Sequence, residues 1–286
     1  MNIMMSLQAI YKYKIASALN KDERATYRDL AYRIGMDESQ LKRLMRMAIA
    51  NHVFDEPEKG FIQHTAVSRL IAENETVNQW LGLVCDELWP LGPRTIPAIS
   101  KWPGSGEPDQ TAFGLANNGS FWDALKTDPP RAQRFADGMK FLQSHPAFSL
   151  DHLFESLAWD TADCPQTLVD VGGSQGSISG ALLHRYARLR TCYVQDAPEV
   201  LQGAAAPSDL RDRLVFSAHN FFTEQPLKNA DVYFLRSILH DWSDKYALEI
   251  IRKLIPALKP GARIIVNEVC LPEPNSLPSY HEQLLR

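Results

Sequence analysis

The spacing of hydrophobic positions changes midway along the chain. Up to about residue 150, apolar residues recur at helical intervals. In "LKRLMRMAIA" (41–50), Leu41, Leu44, Met45 and Ala48 share one face. Asp37 stands where an N-cap belongs, Gln40 follows three residues on, and Met36 and Leu41 flank the start as a hydrophobic staple. The exception in this half is "FDEPEKGFIQHT" (54–65), which turns at Glu58-Lys59-Gly60 and predicts a hairpin. Helix, turn, helix and hairpin together make a winged-helix pattern. "KWPGSGEPDQ" (101–110) predicts a surface loop. From Thr167 onward, short β-branched runs take over: "TLVDV", "TCYVQ", "RLVFSA", "DVYFLR" and "ARIIVNEV". They alternate with the helical stretches "SISGALLHRYARL", "APEVLQGAAA" and "DKYALEIIRKLIPALKPG". Continuously apolar strands between helices imply a parallel sheet covered on both faces. The pattern therefore predicts an α/β protein, with a doubly wound, mostly parallel sheet in residues 151–286 and a mainly helical winged-helix domain in residues 1–150.

Charge narrows what the winged helix can do. The net charge of −4 on 286 residues provides no global field for nucleic acid or an anionic membrane. Residues 21–60 hold eight Lys/Arg (21, 24, 28, 33, 42, 43, 46, 59) against eight Asp/Glu (22, 23, 29, 37, 38, 55, 56, 58). A reader of DNA should be clearly basic, so the balance favours a packing or dimerisation module. The four cysteines are scattered without a CxxC pair, which predicts neither a disulfide framework nor a zinc site. Cys192 and Cys270 fall in strand-like runs and read as small buried hydrophobes. "MNIMMSLQAIYKYKIASALN" reads as an amphipathic helix, not a signal peptide, and no apolar run reaches membrane-spanning length. A cytoplasmic setting is the corresponding expectation.

Candidate chemistry begins at "LVDVGGSQGSISG" (168–180), a strand that breaks into glycines. Counted from Gly172, the dinucleotide pattern G-x-G-x-x-G meets Ser174 and Ser177 where glycines are required, so that reading loses its support. What the stretch does offer is Asp170 ahead of Gly172, Gly173 and Gly176. A carboxylate at that point repels pyrophosphate and attracts a cation. Asp196, 20 residues after Gly176 and ending the next strand, can accept both hydroxyls of a ribose. A lone glycine turn is explained equally well by tight strand–helix packing. The second acid tips the balance toward a positively charged nucleoside, for which S-adenosylmethionine qualifies.

The stretch "ADVYFLRSILHDWSDKYALEIIRKLIPALKPGARIIVNEV" (230–269) resembles the signature of the plant- and fungal-type S-adenosylmethionine-dependent O-methyltransferases. "VDVGGSQG", "VQDAPEVL", "FFTEQP", "LHDWSDK" and "ALKPGARIIVNEVCLPEP" match in order, and the fungal secondary-metabolite members look closest. The resemblance implies a Rossmann-like methyltransferase sheet behind a dimerisation domain. It implies that Gly172, Gly173 and Gly176 lie along the methionine part of the cofactor, with Asp170 at the start of the loop and Asp196 on the ribose. Asn220 and Phe221 stand where the family has an acid and a hydrophobe at the adenine; Arg236 and Trp242 fall near the cofactor. His240 matches the general base and Glu268 the carboxylate that orients it, with no metal. The chemistry is coherent: a phenol with a pKa near about 10 is mostly neutral at pH 7, and an imidazole that takes its proton is worth roughly 10²–10⁴-fold.

The same resemblance places Phe135, Met139 and Phe141 on an acceptor-lining helix, although spacing alone assigns them to a core. It implies a small phenolic, polyketide-like acceptor and a homodimer formed through the N-terminal half, without nucleic acid or membrane. Two alternatives are a cofactor-dependent, non-methylating enzyme of pericyclase type and a catalytically inactive partner subunit. Family members continue beyond "LPSYHEQLLR", so the resemblance also implies an incomplete acceptor pocket and an exposed edge at "ARIIVNEV".

Overall fold

A computed structural model describes residues 2–161, 163–279 and 282. Contacts divide the chain into two compact units, residues 1–149 and 150–286. The first opens with α1 (Asn2–Lys12), β1 (Ala25–Thr26), α2 (Tyr27–Ile34), α3 (Glu38–Ala50), β2 (Phe54–Glu58) and β3 (Phe61–His64). The helix starts are built as the sequence suggests. Asp37 accepts from the amides of Ser39 and Gln40 at 3.0 Å, and Thr26 Oγ1 accepts from Asp29 N. Gly35, at φ +67°, supplies the left-handed residue that lets the chain leave α2. Strand β3 pairs antiparallel with both β1 and β2, forming the wing. Ile10, Leu30, Leu41, Met45 and Ile62 fill the core beneath it.

Helices α4 (Ala66–Glu73), α5 (Glu75–Leu83), α6 (Gly92–Lys101), α7 (Ala112–Asn117), α8 (Phe121–Thr127) and α9 (Pro129–Gln143) complete this unit. Residues Val84–Leu88 continue α5 as a π-helical turn. That turn carries the buried Glu87, whose Oε1 accepts from Arg131 Nε at 3.0 Å and Arg134 Nη2 at 2.6 Å. Two guanidinium groups are what a carboxylate withdrawn from water requires.

The second unit comprises α10 (Leu150–Leu157), β4 (Thr167–Val171), α11 (Ser177–Arg185), β5 (Thr191–Asp196), β6 (Leu214–Ala218), β7 (Val232–Arg236), α12 (Asp244–Leu254) and β8 (Arg263–Asn267). The strands form one parallel sheet in the order β6-β5-β4-β7-β8. The side-chain period of two sorts each strand between two cores. Leu168, Val232 and Phe234 pack with Leu182 and Leu183 of α11 and Leu153 of α10. Val169, Val171, Tyr233 and Leu235 pack with Ile250 and Leu254 of α12 on the other face. Helices on both faces make the sheet doubly wound.

Two sequence expectations need correction. "APEVLQGAAA" forms turns instead of a helix. The segment from Ala197 to Gly203, at φ +79°, is too short to offset helix nucleation without a deep apolar face. Cys270 is exposed beyond the end of β8, whereas Cys85, Cys164 and Cys192 are buried; all four are free thiols. Among the described residues, no helix is long and apolar enough to cross a membrane.

The same alternation turns Asp170 inward on the α11 side, where it is 3% exposed and Ser179 Oγ donates to its Oδ2 at 2.7 Å. Burial pushes this carboxyl up to about 6, the nearby Asp196 charge adds to the rise, and the Ser179 bond opposes it. A carboxyl raised in the folded state favours folding at low pH, and that contribution is lost as pH climbs from about 4 through about 6. Asp170→Asn is therefore expected to gain stability relative to the parent chain by about 3 kcal/mol between pH 4 and pH 8. Urea unfolding at a series of pH values measures this; a pH-independent difference would refute the assignment. Phe234→Ala, which empties a fully buried site in a central strand, should cost about 3–5 kcal/mol in the same experiment.

Candidate active site

In a doubly wound sheet the chain turns away from both sides of the first strand, which opens a crevice at the carboxyl ends of β4 and β7. The glycine turn follows β4. A Cβ on Gly172 would lie 2.4 Å from Ile238 Cδ1, one on Gly173 2.6 Å from Asp170 Cγ, and one on Gly176 3.0 Å from Phe216 Cε1. Gly172 and Gly176 also adopt φ of +76° and +74°. Backbone conformation and packing thus favour all three glycines, whatever lies on the open side of the turn.

Four of the turn's amides bond within the protein. Gln195 O accepts from Gly172 N at 2.8 Å and Gly173 N at 3.0 Å, Asp196 Oδ2 from Ser174 N at 2.9 Å, and Gly173 O from Gly176 N at 3.0 Å. A phosphate-binding loop presents such amides to its ligand; this one folds these four back into the protein. Asp196 further accepts from Ala197 N at 2.8 Å, and burial raises its carboxyl against the pull of both amides. Asp170 lies under the turn, against Gly173, and Asp196 clamps it from the side. Two carboxylates beside the turn suit a cationic ligand better than an anionic one.

Across the crevice, β7 leads into a 3₁₀ turn at Leu239–Asp241 that carries His240. Glu268, one residue beyond β8, reaches this turn because Arg236 and Asn267 form the last pair of the β7–β8 ladder. Its Oε1 accepts from Ile238 N at 2.9 Å and Leu239 N at 2.8 Å, while its Oε2 stands 2.6 Å from His240 Nδ1. The carboxylate thereby fixes the ring, holds a proton on Nδ1 and leaves the Nε2 lone pair available as a base. Glu268 is 15% exposed at its side chain and His240 49%, so a buried anchor holds an accessible imidazole. Arg236 Nη1 bonds Asn267 Oδ1, and burial lowers its pKa against the charges of Asp170 and Glu268.

Phe221 lies edge-on to Phe222, with ring centres 4.9 Å apart, and to Trp242 at 5.9 Å; Tyr246 completes the cluster. Asn220 Oδ1 accepts from Phe222 N at 3.0 Å and shapes the turn that presents these rings. Ser174 and Ser237, at φ +51° and +54°, are non-glycine residues in the left-handed region just past β4 and β7. The acceptor-lining candidates all lie on α9 of the first unit. Phe135 meets Phe121 and Trp122 edge-on, Phe141 packs on that unit's core beside Trp80, and Met139 is half-buried.

Sequence reasoning missed Ser179, Gln195, Ile238 and Asp241. Asp241 lay beside His240 in the quoted motif and could have been found; the others act through contacts that the sequence does not show. Among the described residues, no cluster of three or more His, Cys, Asp or Glu is arranged to hold a metal ion.

Residues 1–74 match the model of the O-methyltransferase dimerisation domain, and residues 102–284 match that of the O-methyltransferase domain. The chain is 54% identical over 286 residues to the O-methyltransferase kk1A of Curvularia clavata, an alignment that takes in 100% of this chain and 67% of that protein. It is 39% identical over 288 residues to the Grayanic acid biosynthesis cluster O-methyltransferase of Cladonia grayi, with 98% and 60% covered. Among solved structures, OxaC in complex with SAH and oxaline superposes with a TM-score of 0.80 at 20% identity, over 99% of this chain and 73% of that one. That likeness extends to the fold. Both of these relatives carry the name O-methyltransferase, which does not favour the non-methylating alternative. Two matched domain models and a 54% identical relative place the chain in the O-methyltransferase family.

Proposed function

We propose that the chain binds S-adenosylmethionine in the crevice between β4 and β7 and methylates a phenolic hydroxyl of a small molecule, with His240 as general base. The observation that carries this reading is the His240–Glu268 contact of 2.6 Å, which pins an accessible imidazole beside an acid-lined glycine turn. The residues present fit the cofactor. The turn offers carboxylates, as a ligand with ammonium and sulfonium charges needs. Asp196 keeps lone pairs for ribose hydroxyls, and Asn220 with Phe221 offers an amide and a ring for adenine. His219, their chain neighbour, has a buried Nε2 without a partner among the described residues. When bound, S-adenosylmethionine supplies an electrophilic methyl group.

The protein's own part is to place and deprotonate the acceptor. His240 Nε2 takes the hydroxyl proton, Glu268 stabilises the imidazolium that forms, and Arg236 sets the field behind them. Asp170 acts from below, its charge held next to the site at a cost in stability. The helix α9 residues Phe135, Met139 and Phe141 are weaker candidates for acceptor contact, because their observed contacts are those of a packed interior. Through its first 74 residues the chain forms a homodimer, a reading supported by the matched dimerisation model.

Calorimetric titration of the full chain tests the first step. S-adenosylmethionine should bind stoichiometrically, and Asp196→Ala should weaken it at least about tenfold, the loss expected for buried, charge-assisted hydrogen bonds. With phenolic acceptors, His240→Gln should lower kcat by roughly 10²–10⁴-fold while cofactor binding stays intact. A folded protein that ignores the cofactor, or a His240→Gln variant as fast as the parent, would overturn the proposal.

A further inference from the structure

A base that takes a proton must lose it before the next turnover, and the surroundings of His240 provide a route. Glu268 occupies Nδ1, so the proton from the acceptor arrives on Nε2. Asp241 Oδ1 stands 3.4 Å from that same Nε2. His240 and Asp241 share one 3₁₀ turn, and Glu268 grips the amides of Ile238 and Leu239 at its start. Backbone, not two long flexible side chains, therefore sets their separation. A neutral imidazole lone pair and a carboxylate repel at this distance; the contact becomes favourable once a proton lies between them.

Charge and exposure both suit such a transfer. Burial pushes the Asp241 carboxyl up to about 6, with the Glu268 charge adding to the rise and His240 opposing it. A carboxyl in that range takes up a proton and releases it again near neutral pH. The Asp241 side chain is 34% exposed, which gives the proton an outlet to water. The charged group facing the pair is Glu268, from the end of β8, with Arg236 of β7 behind it. Arg236 also interacts with Glu268 and Asp170.

We propose that Asp241 is the proton exit of this site, a positioning and relay residue that acts through His240. The inference rests on the methyl-transfer reading above. The acceptor O–H bond breaks as Nε2–H forms, leaving the electron pair on oxygen. The Nε2–H bond then breaks, its pair returning to nitrogen, as Asp241 Oδ1–H forms. Asp241 finally releases the proton to water, so the imidazole and both carboxylates end as they began.

Two readouts on the full chain test this, using Asp241→Asn and Asp241→Glu. In the resting protein, the imidazole ¹⁵N signals of His240 should show an inflection near pH 6 to which Asp241 contributes, and Asp241→Asn should displace it. In turnover, Asp241→Asn should lower kcat about tenfold or more, with acceptor KM within about twofold. Added formate or acetate should restore rate in proportion to its concentration, and Asp241→Glu should retain most of it. A parent chain without the inflection overturns the relay, whatever its activity. So does an Asp241→Asn variant with undiminished kcat and no response to added carboxylate. If the parent shows the inflection yet methylates no phenol, the methyl-transfer reading fails, and the relay built on it fails too.

Discussion

Strand β4 is hydrogen-bonded along both edges and covered on both faces, and this constraint shapes everything around it. A strand enclosed in this way can meet a ligand only beyond its end. It also leaves no freedom in where its side chains go. Leu168 and Asp170 must face α11, while Val169 and Val171 must face α12. The carboxylate of Asp170 is therefore driven into an apolar layer by its register, and Ser179 is the group that meets it there. The turn above must then close over that carboxylate, which is why Gly173 has no room for a Cβ.

The opposite side of the crevice depends on the pairing of β7 with β8. Their last paired residues, Arg236 and Asn267, release two chain segments side by side. His240 and Glu268 are 28 residues apart in sequence and meet because of that register. Glu268 does more than touch the ring. By accepting from two backbone amides it holds the whole turn, so the orientation of His240 and its distance from Asp241 have one common cause. A carboxylate with three good donors has little reason to move, and a base held by it needs little reorganisation before reaction.

The glycine turn shows how packing and ligand chemistry can share one set of residues. Its glycines are favoured by backbone conformation and by Ile238, Asp170 and Phe216, and four of its amides bond to Gln195, Asp196 and the turn itself. What its side chains add for a ligand is acidic. This separates the site from a phosphate-binding loop of similar composition, since the discriminating feature is the direction of the N–H groups and not the number of glycines. The two left-handed serines, Ser174 and Ser237, mark both lips of the crevice as places where backbone strain is tolerated.

Much of this was legible in the amino-acid order. Periodicity located the five parallel strands, the winged-helix segment and most of the helices, because burial on one stripe or on both faces leaves a local record. The family resemblance carried by residues 230–269 pointed to His240 and Glu268, whose roles as base and orienting carboxylate belong to the proposal. "APEVLQGAAA" misled, since helix-favouring residues do not make a helix when the segment is short and has no deep apolar face. Tertiary structure alone decided that Asp170 lies beneath the turn, that the amides of Gly172, Gly173, Ser174 and Gly176 bond within the protein, and that Asp241 faces the second nitrogen of His240. Each of these depends on which strands are neighbours and in what register. Strand pairing is a relation between distant segments, and no local pattern of residues encodes it.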